Sequence, residues 1–176
     1  MTREMPPILE TARLQLREMT RDDLDFIATM MADPEVARYY ERRFSRDDAE
    51  EWLERQLTRY RRDGHGLWLA VDRATAQPVG QVGLALREVE GVRLPEVGWL
   101  LHRGYWGRGF ATEAGAACRD AAFERWHYDR LICLVRPVNV PSINVARRLG
   151  MIEARRVQFH GFEHIMFAVV PTRIEG

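Results

Sequence analysis

Two glycines at the junction of a strand and a helix constrain this chain more than any other feature. An apolar run, residues 97–101, is typical of a strand, and Gly107-Arg108-Gly109 follows it. The next segment predicts a helix, because small apolar side chains recur there at helical spacing: Ala114, Ala117, Cys118, Ala121 and Ala122. Glycine allows close backbone approach to a ligand, and a helix N-terminus presents free N–H groups and partial positive charge. The turn is therefore predicted to bind a phosphate or pyrophosphate.

Two common phosphate-binding motifs do not fit this turn. A Walker A loop places a lysine on the phosphates, and all 26 basic residues of this chain are arginine. A dinucleotide fingerprint requires a third glycine and an acidic residue at the end of the next strand. Thr112 stands where that glycine is expected, and the next apolar run, residues 131–135, ends at Arg136. A plain tight turn into a helix remains the alternative.

Four further segments complete a pattern around the turn. They are Glu96-Val97-Gly98-Trp99-Leu100-Leu101 before it, residues 130–135 and 139–151 after it, and Thr11-Ala12-Arg13-Leu14-Gln15-Leu16-Arg17 near the start. This succession resembles the GNAT superfamily of acyl-CoA-dependent N-acetyltransferases, and most closely its RimJ/RimL-type branch. The resemblance covers roughly residues 9–170. Trp106 stands where the superfamily often has Gln or Arg, and it is a marker of this branch.

The resemblance implies a GNAT-type fold that binds acetyl-CoA as a cosubstrate. In that family the strand before the loop is splayed by a bulge, the pantetheine arm lies against it, and the loop amides bind the pyrophosphate. A backbone N–H on the splayed strand, at Leu101 or a neighbour here, polarises the thioester carbonyl. The implied cofactor-binding residues are Trp99, Leu100, Leu101, Gly107, Arg108, Gly109, Phe110, Ala111, Thr112 and Asn139.

The residue patterns also predict an α+β fold in a single domain, residues 1–176. Strands occur first as antiparallel hairpins and then in a strand–helix–strand crossover, which indicates a mixed, mostly antiparallel sheet flanked by helices. Helices are predicted to start at Thr20, at Asp33-Pro34 and at Ser45, the last running to about residue 62. Residues 89–93 are predicted to form a turn, and a terminal hairpin is expected around His160-Gly161.

Composition limits the partners. The formal net charge is zero and the pI is near 7, so nothing favours nucleic acid or an anionic membrane surface. Cys118 and Cys133 lack metal or redox spacing and are predicted to be core thiols. No metal site is expected, because His160 and His164 fall in a predicted hairpin. No leader or membrane-spanning run is evident, so a cytoplasmic location is expected. A homodimer stays open.

Acetyl transfer to an amine requires a proton acceptor, and Glu96 is the first candidate. Strand alternation puts Glu96, Gly98 and Leu100 on one side, where the missing side chain of Gly98 leaves room for the amine. The alternative is a structural glutamate paired with Arg87 or Arg93. In that case ordered water would carry the proton.

The leaving thiolate requires a partner, and the resemblance points to Ser142. Many superfamily members have a tyrosine acid on the helix after the next strand, but that position here holds Ala146. In the RimJ/RimL-type branch a serine at the position of Ser142 is the suggested thiolate partner. Its alternative role is to satisfy a backbone amide in the first helical turn. Asn139 is predicted to contact the pantetheine or the acceptor, with helix capping as its alternative.

The acceptor is not readable from the sequence. By resemblance, Tyr39 or Tyr40 lines its pocket, and it is a primary amine on a protein N-terminus or a small molecule. Residues 59–62 are predicted to form a solvated arginine-rich helix face, with contact to an anionic substrate as the alternative. Two functions remain: an acetyl-CoA-dependent N-acetyltransferase, or a non-catalytic acyl-CoA-binding or regulatory module. The presence of Glu96, Asn139 and Ser142 favours the first.

Overall fold

The computed structural model describes residues 6–172, so both ends of the predicted domain, 1–176, lie outside the described part. The strands are β1 (Leu9–Glu10), β2 (Leu14–Arg17), β3 (Leu67–Asp72), β4 (Pro78–Val89), β5 (Val92–Leu101), β6 (Leu131–Val135), β7 (Ile152–Phe159) and β8 (Phe162–Val169). The helices are α1 (Leu24–Ala32), α2 (Pro34–Ala37), α3 (Arg46–Asp63), α4 (Phe110–Glu124) and α5 (Val140–Arg148). The eight strands form one sheet in the order β1-β2-β3-β4-β5-β6-β8-β7. Only β5 and β6 pair in parallel, which confirms the predicted mixed, mostly antiparallel α+β fold.

Local sequence signals set the helix starts, as predicted. Ser45 caps α3 in a capping box with Asp48, and Gly64 ends this helix in the left-handed conformation (φ 76°). Asp33 caps α2 by accepting from the amide of Glu35, although this helix lasts only four residues. Thr20 starts a short 3₁₀ turn that leads directly into α1.

The turn predicted over residues 89–93 is wrong in extent. β4 continues to Val89 and β5 begins at Val92, so only Glu90 and Gly91 connect the two strands. Both residues have positive φ, 49° and 80°, the combination that matches the twist of a two-residue hairpin. The β-branched residues Val89 and Val92 pair across the hairpin, which extends the ladder to its end.

The two faces of the sheet are covered differently. On the α4 and α5 face, one continuous core cluster contains residues from both sides of the β5–β6 junction, including Val97 and Cys133. On the other face the apolar residues fall into two separate clusters, one with α1 and α3 and one that joins Val89 of β4 to β6, β7 and β8. Both Cys118 and Cys133 are buried core thiols, as predicted, and burial raises their pKa values.

The central strands β5 and β6 separate almost immediately after they meet. They share one register pair, Glu96 with Ile132, whereas β4 follows β5 along its whole length to Leu101. The last five residues of β5 therefore have no ladder partner on the β6 side. This is the splayed central strand expected at the cofactor site.

Candidate active site

The glycine turn presents a row of unpaired backbone donors. Gly107 and Gly109 have φ values of 72° and 78°, in the left-handed region that side chains rarely tolerate. Gly109 is the N-cap of α4 and provides no capping side chain. The amides of residues 107–112 find no acceptor within the described part of the chain. These free N–H groups at a helix N-terminus fit a pyrophosphate.

The turn between β1 and β2 clamps this loop. The Arg13 side chain donates from Nε to Glu113 Oε2 at 2.6 Å and from Nη1 to the carbonyl of Arg108 at 2.9 Å. Glu113 Oε1 accepts from the Arg13 amide at 2.8 Å and from the Thr11 hydroxyl at 2.6 Å. Burial acts to raise the pKa of Glu113, but these hydrogen bonds and the charge of Arg13 outweigh it, so the pKa lies below its usual range. Arg13 also covers the Phe110 ring at 4.4 Å.

A hydrogen bond joins the two sides of the splay. Trp99 on β5 donates from Nε1 to the hydroxyl of Ser142 on α5, at 3.2 Å. The amide of Ser142 donates to the side chain of Asn139, the N-cap of α5, at 3.2 Å. Asn139 therefore has the capping contact that was its alternative role, and the Ser142 hydroxyl faces the splayed strand.

The end of β5 is tied to the glycine turn. Trp106 donates from Nε1 to the carbonyl of Leu101 at 2.9 Å, while 43% of its surface stays exposed. Leu100, one residue earlier, packs against the cluster with α1 and α3. The Arg108 guanidinium lies 5.6 Å from the Tyr105 ring centroid. The Trp106–Leu101 hydrogen bond thus connects the end of the splayed strand to the glycine turn.

Glu96 is buried on the face toward α1 and α3, and it is paired. Its Oε1 accepts from Arg87 Nε at 2.9 Å, so Arg87 is the partner that the structural alternative anticipated. Arg93 instead pairs with Asp63 at 3.1 Å. Glu96 Oε1 lies 3.9 Å from the position a Cβ on Gly98 would occupy, and Oε2 has no hydrogen-bond partner within residues 6–172. The carboxylate therefore has one engaged oxygen and one free oxygen beside the glycine.

Other polar groups surround Glu96 that sequence reasoning did not bring together. Burial of the hydroxyl and the charge of Glu96 raise the pKa of Tyr40, although 43% of that residue is exposed. Burial lowers the pKa of His164. The Nδ1 of His164 lies 3.0 Å from the carbonyl of Phe162, so it carries the proton in the neutral ring and leaves Nε2 as an acceptor. The only sequence signal for His164 was its spacing from His160 in the predicted hairpin.

Arg136 closes this side of the site. It donates to the carbonyl of Tyr39 at 3.1 Å and to Glu41 at 3.0 Å, and it lies 4.1 Å from the Phe162 ring centroid. These contacts tie the segment after α2, which contains Tyr39 and Tyr40, to the hairpin of β7 and β8. The expected pocket wall is thus adjacent to the Glu96 face.

Two kinds of feature are absent from residues 6–172. No cluster of three or more His, Cys, Asp or Glu side chains is arranged to hold a metal ion. No helix in this part of the chain combines the length and the apolar character needed to cross a membrane.

The sequence of this chain matches a known protein family and is similar to several known proteins. The family described as Acetyltransferase (GNAT) domain matches residues 13–152. The chain is 31% identical over 151 residues to Uncharacterized protein YkkB of Bacillus subtilis (strain 168), covering 85% of this chain and 88% of that protein. It is 30% identical over 152 residues to Uncharacterized N-acetyltransferase p20 of Bacillus licheniformis, covering 81% of this chain and 80% of that one.

Solved structures share the fold. An acetyltransferase from Agrobacterium tumefaciens str. C58 superposes with a TM-score of 0.83 at 26% identity, covering 97% of this chain and 98% of that one. The ribosomal L7/L12 alpha-N-protein acetyltransferase RimL, in complex with coenzyme A, superposes with a TM-score of 0.76. That likeness covers 94% of this chain and 98% of the other, and at 15% identity it shows the fold alone.

Proposed function

The chain belongs to the GNAT acetyltransferase family and is an N-acetyltransferase, and from this we propose that it transfers an acetyl group from acetyl-CoA to a primary amine by direct aminolysis. The observation that carries the proposal is the row of unpaired amides at residues 107–112, which follows the splayed strand β5. Glu96 belongs to this strand and Ser142 is hydrogen-bonded to it through Trp99, so donor, acceptor and leaving group have separate places.

The donor side fits acetyl-CoA, the cosubstrate that GNAT acetyltransferases use. The loop amides would hold the pyrophosphate, with Arg13 and Arg108 adding positive charge. The open edge of β5, from Trp99 to Leu101, would receive the pantetheine. The amide of Leu101 or a neighbour would stabilise the thioester oxygen as it gains charge. Acetyl-CoA supplies the activated acyl group.

Glu96 is proposed to accept the amine proton, directly or through one water. The free Oε2 faces no competing donor in the described residues, so one carboxylate oxygen is open to the amine or to a bridging water. Ordered water remains the alternative proton acceptor, because Oε1 is already engaged by Arg87.

Ser142 is proposed to assist the leaving group. Its oxygen accepts from Trp99, which leaves its own O–H free to donate to the thiolate. In the full step the amine nitrogen forms a bond to the carbonyl carbon and the carbon–sulfur bond breaks. The amine proton passes to Glu96 or water, and the thiolate receives a proton from the serine side or from solvent.

Three finer assignments belong to the same proposal. Trp106 and the Asn139–Ser142 arrangement support placement in the RimJ/RimL-type branch. The acceptor is a peptide N-terminal amine or a small amine, and the protein acts alone or as a homodimer. A cytoplasmic location is supported by the two buried free thiols, which suit a reducing compartment.

A second candidate is a non-catalytic acyl-CoA-binding or regulatory module. The Arg87–Glu96 ion pair favours it, because the carboxylate already has a structural partner. Both candidates bind the cofactor, so only turnover separates them.

The test has a binding arm and a turnover arm. Acetyl-CoA should raise the melting temperature of the wild type by mass action. Gly109→Glu should abolish that shift, because a side chain and a negative charge would occupy the anion site next to Arg13. Gly91→Glu is the matched control, since Gly91 has a similar φ of 80° in the remote β4–β5 turn.

The turnover arm measures thiol release from acetyl-CoA with a panel of amines and peptides. Release that depends on an amine supports the transferase. A cofactor-induced shift without any amine-dependent release would support the binding module instead. Equal shifts in wild type and Gly109→Glu would remove the assignment of the cofactor site itself.

A further inference from the structure

Two arginines on α3, Arg59 and Arg61, have no acidic partner within residues 6–172, and of these only Arg59 is partly buried. Arg59 is half-buried, and its Nη1 donates to the side-chain oxygen of Gln56 at 3.2 Å. No carboxylate within residues 6–172 lies within 4.0 Å of its guanidinium, whereas Arg62 pairs with Asp63 at 2.7 Å and Arg55 lies 4.0 Å from Glu51. The predicted solvated face of residues 59–62 is therefore not uniform, because Arg59 turns inward.

A second cation stands close to the first. Burial and the positive charge of Arg87 lower the pKa of Arg59 to about 10. Arg87 uses only its Nε, on Glu96, and its two terminal nitrogens have no hydrogen-bond partner in the described part. Arg87 alone pairs with the Glu96 carboxylate, and Arg59 is left without one. A half-buried positive charge left without a counter-ion is unfavourable unless a ligand supplies the negative charge.

An open groove of about 570 Å³ leads to Arg59. One face of α3 and a residue of β4 line it: Glu51, Glu54, Arg55, Thr58, Arg59, Arg62 and Leu86. On its inner side Arg59 packs against Gly66, with its Cβ 3.4 Å from the Cβ position of that glycine. Gly66 lies against Gly83 of β4, and Gly83 pairs with Gly98, which adjoins the Glu96 carboxylate. Arg59 therefore lines the groove on one side and approaches the Arg87–Glu96 pair on the other.

We propose that the amine acceptor also carries a carboxylate, as a free amino acid does, and that Arg59 and Arg87 bind this carboxylate while the amine faces Glu96. The planar guanidinium matches the two oxygens of a carboxylate, and charge-assisted hydrogen bonds of this kind are both strong and directional. Arg87 contacts Glu96 directly, so the two charges of an amino acid, a few bonds apart, meet their partners together. This inference rests on the proposed function and narrows its acceptor.

Matched acceptor pairs test the proposal in turnover. Each free amino acid is compared with its carboxamide, which keeps the amine and the side chain and removes the carboxylate. In the wild type the preferred free acid should exceed its amide in kcat/KM by about tenfold or more, mainly through KM. Arg59→Gln should bring the two close to parity. Arg61→Gln is the matched control, because it removes the same charge from an exposed position on the same helix.

A binding arm keeps the test independent of turnover. With CoA present, calorimetry compares N-acetyl amino acids with their amides on wild type, Arg59→Gln and Arg61→Gln. A free acid should bind more tightly than its amide to wild type and to Arg61→Gln, and Arg59→Gln should lose that difference. Amides or peptides that bind and react as well as free acids would overturn the proposal while leaving acetyl transfer intact. Failure of every amine to release CoA would instead count against the proposed function, and the binding arm would still decide this inference.

Discussion

The donor end and the acceptor end of the site differ in how completely their side chains are paired. At the donor end, Arg13, Glu113 and Thr11 engage one another and the loop, and Trp99 is bonded to Ser142. At the acceptor end, one of two neighbouring guanidinium groups lacks a carboxylate. The fully paired side chains of the donor end suit a cosubstrate that is the same in every turnover. The acceptor end keeps an unpaired positive charge, which a negatively charged group of a specific ligand can neutralise.

Buried side-chain amides that lack a hydrogen-bond partner also lie at the acceptor end. Two buried side-chain atoms in the described part lack a hydrogen-bond partner, Gln56 Nε2 and Gln81 Nε2. Gln56 bonds Arg59, and Gln81 accepts from Trp52 of α3, so both lie between α3 and the sheet. Both unsatisfied groups thus lie on the acceptor side, where a ligand or a water molecule can supply the hydrogen-bond partner.

The largest predicted effect is at Glu96, which lies between the donor end and the acceptor end. Glu96→Gln keeps the size and removes the basicity, and it should lower kcat/KM at neutral pH by about 10²–10⁴-fold. The loss should shrink as pH rises and more amine is already neutral. A pH–rate profile with acetyl-CoA affinity measured alongside checks this. Glu88→Gln, exposed on the neighbouring strand, is the control. A loss below about threefold, under the range of a general base, would make Glu96 structural and assign the proton to water.

The donor end should respond to loss of its clamp. Arg13→Gln removes the contacts to Glu113 and to the Arg108 carbonyl, so acetyl-CoA affinity should fall by about tenfold. The KM for the amine should change little. Arg73→Gln is the matched control, because Arg73 bonds the Thr11 carbonyl of the same turn without touching the loop. Titration of acetyl-CoA into each variant measures the effect, and equal losses in both would reduce Arg13 to a fold-stabilising role.

The serine and the asparagine of α5 should separate chemistry from stability. Ser142→Ala should lower kcat by about fivefold with near-normal CoA affinity, because one hydrogen bond to the leaving group is lost. Asn139→Ala removes the helix cap and should cost about 0.5–2 kcal/mol of unfolding free energy. Single-turnover kinetics and thermal unfolding of both variants are the measurements. A destabilised Ser142→Ala with normal turnover would reverse these roles.

The smallest predicted effect is a change in stability at Arg59, on the acceptor end. Arg59→Met removes an unpaired, half-buried charge and keeps the apolar part of the side chain. The variant should be more stable than the wild type by about 1 kcal/mol, which is about 2–4 °C in melting temperature for a chain of this size. Thermal unfolding without ligands checks the sign. A destabilised variant would mean that the Arg59 charge stabilises the fold, which would argue against a role in binding a ligand.

The cofactor turn was predictable because its signals are local. Gly107, Gly109 and the small residues of α4 lie within one stretch, and their spacing alone indicates the turn and the helix. Glu96 was also found on the expected face, because strand alternation fixes it. Residues 89–93 were mispredicted because a turn glycine marks the presence of a hairpin but does not show how far its strands extend.

The clamp and the arginine pair depend on distant contacts. Arg13 and Glu113 are 100 residues apart, and Trp99 and Ser142 are 43 apart. Arg59 stands in a run of polar residues that gives no sign of which side chain turns inward. The periodicity of a sequence does not show which residue a charged side chain will approach. The proximity of Arg59 and Arg87 therefore became evident only from the packing of α3 on the sheet.

The splay has a mechanical consequence for the whole molecule. The strands from β1 to β5 and those from β6 to β8 form two half-sheets that share a single register pair, and apolar clusters on both faces bridge them. The opening between the half-sheets lies along residues 97–101 of β5, which have no ladder partner in β6. A cosubstrate lying in the opening would act as a missing strand. Its departure after each turnover would loosen the joint between the halves, and amide exchange in β6 would report that cycle.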